Sequence, residues 1–374
     1  MKPLHAIQTS PKLSDRIYLD HAATQPLRPE VREAMIEGML RWANPSSPHA
    51  EGRAARAALE DARARIKAAL GWEGHVLFTS GASEALAIAM RRTKGGTRWR
   101  SSVEHDAVLR AAPEAQVLPV NREWDVDFDA VEDALAPGDR PVIAIQWVNP
   151  ETGKVQPIER YAPMIEAGGG VLVTDASQLW GLSRFPKQAQ MMVISAHKLG
   201  GPIGVGALLV GDLALLEPSG GQEFGYRAGT ENLPAVLGFA AAVEGWAAKR
   251  TAAPDMDRHE ALVDMFRTLK SYGGHQLMGY GEYVSEIRAL AMPNLSAAAQ
   301  LVRFDLKGFA VSAGSACASG TLKQSRVLEA FGVEPDVAAR TIRVSMGWST
   351  TAEEIRRFTD TWIDIAMGAA AKAG

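Results

Sequence analysis

One cysteine, Cys317, stands alone in a chain of 374 residues. A single thiol excludes an intramolecular disulfide framework and any metal site built from several cysteines. A lone cysteine is ordinarily a small buried hydrophobe, so a functional role has to be argued from its neighbours. Excess charge is missing too: 40 Lys and Arg against 43 Asp and Glu leave a formal net charge of -3, with no electrostatic footprint for nucleic acid. No segment approaches about 18 unbroken apolar residues, which excludes a membrane-spanning helix on hydropathy. Residues 1–14 contain no apolar core of signal-peptide type, and the expected setting is cytoplasmic. Internal repeats and low-complexity tails are also missing. What remains is an ordinary globular composition, 47% hydrophobic and 22% charged, long enough for two domains.

The segment Val193-Ile-Ser-Ala-His-Lys-Leu-Gly-Gly-Pro-Ile-Gly-Val-Gly-Ala-Leu208 organises the rest. An apolar run at 191–194 ends in Ser195 and His197, then comes Lys198, then a glycine-rich turn into a second apolar run at 205–210. That spacing predicts strand, tight loop, strand. A lysine so placed is either a solvated surface amine or an amine that binds an aldehyde as a Schiff base. Upstream, a glycine turn and a short apolar strand end in Asp175, with Gln178 three residues on. The acid is either a helix cap or a carboxylate that keeps a ring nitrogen protonated. Lys198 follows Asp175 on the next predicted strand, so both are expected at one edge of one sheet, where ligands of open α/β sheets bind.

Other blocks carry chemistry of their own. In Val76-Leu-Phe-Thr-Ser-Gly-Ala-Ser-Glu-Ala-Leu86 a strand runs through a turn into a helix starting near Ser83. The free N–H groups around Ala82 and Ser83 make either an anion site or a plain helix cap. Gly81 permits close backbone approach there. His105 is a structural or surface residue, or an imidazole able to move protons near neutrality. The apolar run 142–148 predicts a buried parallel strand ending in Asn149-Pro-Glu-Thr-Gly153. Long helices are expected over 52–70, with an apolar face of Ala58, Ala62, Ile66, Ala69 and Leu70, and over 234–249. Residues 220–232 form a glycine-rich polar loop holding Thr230. Small residues flank Cys317 and offer it little to pack against, which argues against an inert core thiol. It still needs activation, because at an ordinary pKa of about 8.5 only a few per cent is thiolate near neutrality. Arg343, on a predicted strand, is a surface ion-pair partner or a fork for a carboxylate.

In order along the chain, these blocks resemble the motifs of the cysteine desulfurase family. Tyr18 to Thr24 is similar to "YLDxAAT", 79–84 to the phosphate turn "TSGATE", Glu104-His105 to "xEHxAV", and Asp175 to Gln178 to "DxxQ". The Ser195, His197 and Lys198 segment resembles the cofactor lysine, 220–232 "GGQExGxRxGTxN", 312–320 "SSGSACSSG", and 341–347 "xIRxSxG". Departures are Ser83 for Thr, Leu86 and Ala87 for a polar pair, Pro150 for the second Asn of "NNExG", Ala196 for Gly, and Ala313 for Ser. Either Asn149 makes the contact that Pro150 cannot, or that contact is absent.

The resemblance implies an α/β fold of type I among pyridoxal-phosphate enzymes. A large domain (15–250) with a mostly parallel sheet flanked by helices would be joined by a smaller α+β domain (251–374, with 1–14). It implies pyridoxal 5'-phosphate held by Ala82, Ser83, His105, Asp175, Gln178, Ser195, His197 and Lys198, with Thr230 reaching the phosphate of a neighbouring subunit in a homodimer. Arg343 and Asn149 would bind the substrate. The implied reaction converts L-cysteine to L-alanine, with Lys198 and His105 handling protons and Cys317 left as a persulfide. The sulfur would pass to an iron–sulfur scaffold or another acceptor protein. Two rivals remain: another enzyme of this fold (an aminotransferase, a selenocysteine lyase or a kynureninase-like hydrolase), or a weakly active cofactor-binding partner of sulfur machinery.

Overall fold

A computed structural model describes residues 16–182, 184–253, 255–314 and 325–371. Seven strands form the central sheet: β2 (His75–Thr79), β3 (Arg98–Ser101), β4 (Gln116–Leu118), β5 (Val142–Ala144), β6 (Val171–Asp175), β7 (Met191–Ser195) and β8 (Gly206–Val210). Their spatial order is β2-β8-β7-β6-β5-β3-β4, and only β8 runs antiparallel to its neighbours. The large sheet is therefore mostly parallel, as expected for this α/β class.

Strand residues alternate between two apolar layers, so both faces of the sheet are covered. Phe78, Ile143, Leu172, Met192, Ile194 and Leu209 point into one core. It is filled from α1 (Pro29–Leu40), α2 (Ala50–Leu70), α5 (Phe128–Asp133), α6 (Ile158–Ala167) and α7 (Leu233–Thr251). Leu77, Ala144, Val173, Val193 and Leu208 point the other way, onto α3 (Ala82–Arg92) and α4 (Asp106–Ala111).

Helix α7 is apolar nearly all round and lies buried, as such a helix must. It packs closely on α1, where a Cβ added at Gly38 would stand 2.6 Å from the Pro234 Cα. In α2 the buried stripe is Ala55, Leu59, Ala62, Ile66 and Leu70, and Ala58 and Ala69 are only partly covered. The stripe is displaced because Arg63 belongs to the inner face. Its guanidinium is 6% exposed and is paired with Glu223 at 2.7 Å. The expected strand over 142–148 is regular only through Ala144. Beyond it Ile145 and Trp147 still donate to Val173 and Asp175 at 3.0 and 2.9 Å, so the chain stays tied to β6 on one side while the other side opens.

A second apolar cluster gathers α8 (Met256–Ser271), α9 (Ala297–Leu306) and α12 (Ala352–Ala370). They pack on the antiparallel sheet β12-β10-β9, made of β9 (His275–Gln276), β10 (Ile287–Ala291) and β12 (Thr341–Ser345). Ile17 and Leu19 belong to this cluster, because β1 (Ile17–Tyr18) pairs in parallel with β11 (Phe309–Ala310). Two short helices, α10 (Arg326–Ala330) and α11 (Pro335–Ala338), lead back to β12.

Candidate active site

The carboxyl ends of β6 and β7 open into a cavity of about 870 Å³. Asp175 closes β6 and pairs in register with Val193 of β7, which places Ser195 and the turn after it beside the acid. That turn is one 3-10 helix, Ala196–Leu199, stopped at Gly200, whose φ of 75° suits glycine alone. Ala196 is fully buried. Its carbonyl accepts from the Gly201 N–H at 2.9 Å, which holds the turn tight. Gln25 pins the turn from outside: its N–H donates to the His197 carbonyl and its Nε2 to the Lys198 carbonyl, both at 2.8 Å.

Lys198, Asp175, Ser195, His197, Gln178 and His105 all line this cavity, as do Ala82 and Ser83. Desolvation holds the Lys198 amine below the usual lysine range; Asp175 opposes this, Arg343 adds to it, and Asp20 opposes it. His197 is pushed down to about 4 by burial and by Lys198. The His105 ring stands at the N-terminus of α4, where Nδ1 accepts from the Ala107 N–H at 3.1 Å. In the neutral ring that bond leaves the proton on Nε2. The enclosing walls, then Lys198, lower its proton affinity. Gln178 is buried, with Nε2 on the Ala22 carbonyl at 2.8 Å.

The strand-to-helix turn expected at 79–83 is present. Gly81 precedes α3 with φ 152°, and nothing lies within 4 Å of where its Cβ would stand. The N–H groups of Ala82 and Ser83, in the first helical turn, have no partner within the helix. The nearby Glu84 carboxylate is neutralised: Oε2 accepts from the Ser80 N–H at 2.5 Å and Oε1 from Arg227 Nε at 3.0 Å. Leu86 is buried on the wall, where the family carries a polar residue.

Arg343 reaches the same cavity from β12. Nη2 meets Asp20 at 2.7 Å and Nη1 donates to the Pro150 carbonyl at 3.0 Å, while Nε has no partner. Pro150 thus contributes its carbonyl. Asn149 does not reach the cavity. Its side chain is fully buried, and Oδ1 accepts from the Glu151 and Thr152 N–H groups at 3.0 Å, which closes the turn. Gln146 lines the wall instead, and the apolar run around it gave no sign of that. Thr230 is exposed and lies outside the lining of its own cavity.

Cys317 lies outside the described residues. The chain on either side of its segment meets the cavity: Ser312, Ala313 and Gly314 line it on entry, Arg326 and Val327 on exit. Ser325 donates to the half-buried Glu151 carboxylate at 2.5 Å. The wall also holds Glu104, Glu151 and Arg326, none of which declares a role in the sequence. Arg326 is bound to the Ser102 and Glu104 carbonyls, the latter at 2.6 Å.

A family model described as Aminotransferase class-V matches residues 17–358. Putative cysteine desulfurase IscS 1 of Bacillus subtilis (strain 168) is 34% identical, over 91% of this chain and 96% of its own. A cysteine desulfurase of Rhodobacter capsulatus is also 34% identical, over 91% and 94%. Among solved structures, a NifS-like protein from Rickettsia africae ESF-5 superposes with a TM-score of 0.84 at 29% identity, covering 94% of this chain and 99% of that one. SspA in complex with cysteine superposes with a TM-score of 0.74 at 30% identity, over 88% and 98%.

Proposed function

The chain belongs to the class-V aminotransferase family and, within it, to the cysteine desulfurases; on that premise we propose that it converts L-cysteine to L-alanine and keeps the sulfur on Cys317. The observation that carries the reading is the convergence of Lys198, Asp175 and His105 on one cavity, with the lysine amine held below its usual proton affinity.

The family works with pyridoxal 5'-phosphate, and the residues present fit it. The open turn at Gly81, with the free N–H groups of Ala82 and Ser83, suits a phosphate. Asp175 suits a protonated ring nitrogen, and His105, Gln178, Ser195 and His197 supply the surrounding polar wall. When bound, the cofactor supplies an electron sink for the substrate α-carbon.

This chain's own residues do the rest. Lys198, poised to lose its proton, serves as the base at the α-carbon. Arg343, fixed by Asp20 and Pro150, binds the substrate carboxylate with its remaining N–H groups and so orients the thiol. His105 presents Nε2 for proton exchange with the substrate sulfur. The Cys317 thiolate attacks that sulfur; an S–S bond forms as the C–S bond breaks, and the carbon skeleton takes up protons and leaves as alanine. The same reading sends the persulfide sulfur to an iron–sulfur scaffold or another acceptor protein.

The reading includes a homodimer. Ile36, Met39, Leu40 and Trp42, on and just after α1, are 54%, 61%, 78% and 80% exposed, a large apolar patch for a chain alone in water. Thr230, exposed and outside the lining of its own cavity, is available to a second copy's phosphate. A division into domains near residue 250 is supported by the two separate apolar cores. No helix among the described residues is long and apolar enough to cross a membrane. A cytoplasmic setting is part of the proposal, because the chemistry needs Cys317 reduced.

The test is single-turnover alanine release from L-cysteine by the cofactor-loaded protein, followed by the mass of the Cys317 peptide. Stoichiometric alanine with one added sulfur on Cys317 is expected. A Cys317→Ala variant with full turnover would move the protein to the aminotransferase, selenocysteine lyase or kynureninase-like reading. A cofactor band without alanine would make it a weakly active binding partner.

A further inference from the structure

The turn Asn149-Pro-Glu-Thr-Gly153 holds an acid, Glu151, to which the mechanism above gives no part. Asn, Pro and Gly favour a tight turn. Asn149 Oδ1 fixes the Glu151 and Thr152 N–H groups at 3.0 Å, and the Gly153 N–H donates to the Asn149 carbonyl at 2.9 Å. The turn therefore presents two neighbouring groups in a set relation. The Pro150 carbonyl accepts from Arg343 Nη1 at 3.0 Å, and the Glu151 carboxylate meets the chain on both sides of the Cys317-bearing segment.

One oxygen makes both contacts. Glu151 Oε2 accepts from Ser325 Oγ at 2.5 Å. Ser325 Oγ itself accepts from the Leu328 N–H at 3.1 Å as the cap of α10, so its single hydrogen is the one given to Glu151. On the other side, a Cβ added at Gly314 would fall inside contact distance of the same Oε2 and stand 2.8 Å from Glu151 Cδ. Gly314 does not have a positive φ, so the approach of the carboxylate, and not the backbone conformation, calls for glycine there. Two residues earlier, the Ser312 N–H donates to the Arg343 carbonyl at 3.1 Å and the Arg343 N–H to the Ser312 carbonyl at 2.6 Å. Arg343 is thus tied to this stretch twice, directly through Ser312 and indirectly through the 149–153 turn.

We propose that Glu151 is a positioning residue that gathers both ends of the Cys317-bearing segment at one carboxylate oxygen, and so sets where the thiol stands relative to the fork of Arg343. Holding two ends of a chain at one point limits what the residues between them can sample. Lys198 and Asp175 do not depend on it, because they stand on β6, β7 and the 3-10 turn. Sulfur transfer does depend on it, since attack at the substrate sulfur is steeply sensitive to alignment.

Two measurements on the full-length protein test this. Cys317 is the only cysteine, so one nitroxide label can be placed on it. Glu151→Ala is expected to sharpen the electron paramagnetic resonance line of that label, and Glu151→Gln, which keeps an acceptor for Ser325, to retain the wild-type line. Superimposable lines for wild type and Glu151→Ala overturn the proposal. The second measurement is a single turnover of L-cysteine by the unlabelled, cofactor-loaded protein. In Glu151→Ala the absorption change on adding L-cysteine should keep its wild-type rate, while persulfide formation on Cys317 falls by roughly 10²-fold and recovers most of that loss in Glu151→Gln. An equal loss in both steps, or no loss of persulfide, overturns it. This second readout rests on the function proposed above and the label readout does not, so a failure of one is distinguishable from a failure of the other. If Glu151→Ala does not fold, Gly314→Ala crowds the same oxygen and should sharpen the line and slow the persulfide step in the same direction; wild-type behaviour in both overturns the proposal.

Discussion

Asp175, Ser195 and Lys198 enter the cavity from two neighbouring parallel strands, held by one register. The opposite wall is assembled from far apart: Arg343 meets Asp20 across 323 positions, and Arg326 meets the Glu104 carbonyl across 222. The first wall is local and needs only the β6–β7 pair and one 3-10 turn. The second needs β1, β12 and α10 to have docked against the large sheet. On the function proposed above, the lysine chemistry belongs to the local wall and substrate recognition to the assembled one.

Three substitutions break or sharpen that contrast. Lys198→Ala strikes the local wall and should lower alanine release by roughly 10³-fold or more, with the denaturant midpoint near that of wild type. Arg343→Lys strikes the assembled wall by replacing a fork with a point charge. It should lower kcat/KM by roughly 10²-fold, about 2.7 kcal/mol, carried mainly by KM for L-cysteine. If kcat falls instead and KM holds, the assembled wall does more than recognise. Arg326→Ala has the smallest effect expected. It loses two bonds from a partly exposed cation to the Ser102 and Glu104 carbonyls, about 1–2 kcal/mol in urea unfolding. Lys198→Ala should leave urea stability nearly alone, and Arg326→Ala should leave the lysine chemistry nearly alone.

The local wall was the legible one. Alternating strands, the glycine-rich turn after Lys198 and the strand-to-helix turn at Gly81 are each written within a few residues, because side-chain period and turn chemistry act over that range. The assembled wall was legible only where a motif named its residue, as at Arg343. Asn149 shows the limit: its amide suits ligand contact, yet the amide oxygen is engaged by the turn it closes. Gln146 shows the converse, a polar residue in an apolar run that lines the cavity while its Nε2 donates to the Val103 carbonyl at 2.5 Å. The buried stripe of α2 also differed from its apolar pattern, because Glu223 makes the inner face habitable for Arg63.

By itself the sequence determined the fold class, the sheet's two apolar faces, and the presence of a lysine, an acid and a glycine turn at strand ends, all consequences of short-range periodicity and turn geometry. Only the tertiary structure decided which polar groups still had bonds to offer. Hydrogen-bond capacity is finite and is claimed first by buried partners, so the Asn149 amide oxygen is taken and Arg343 is half taken.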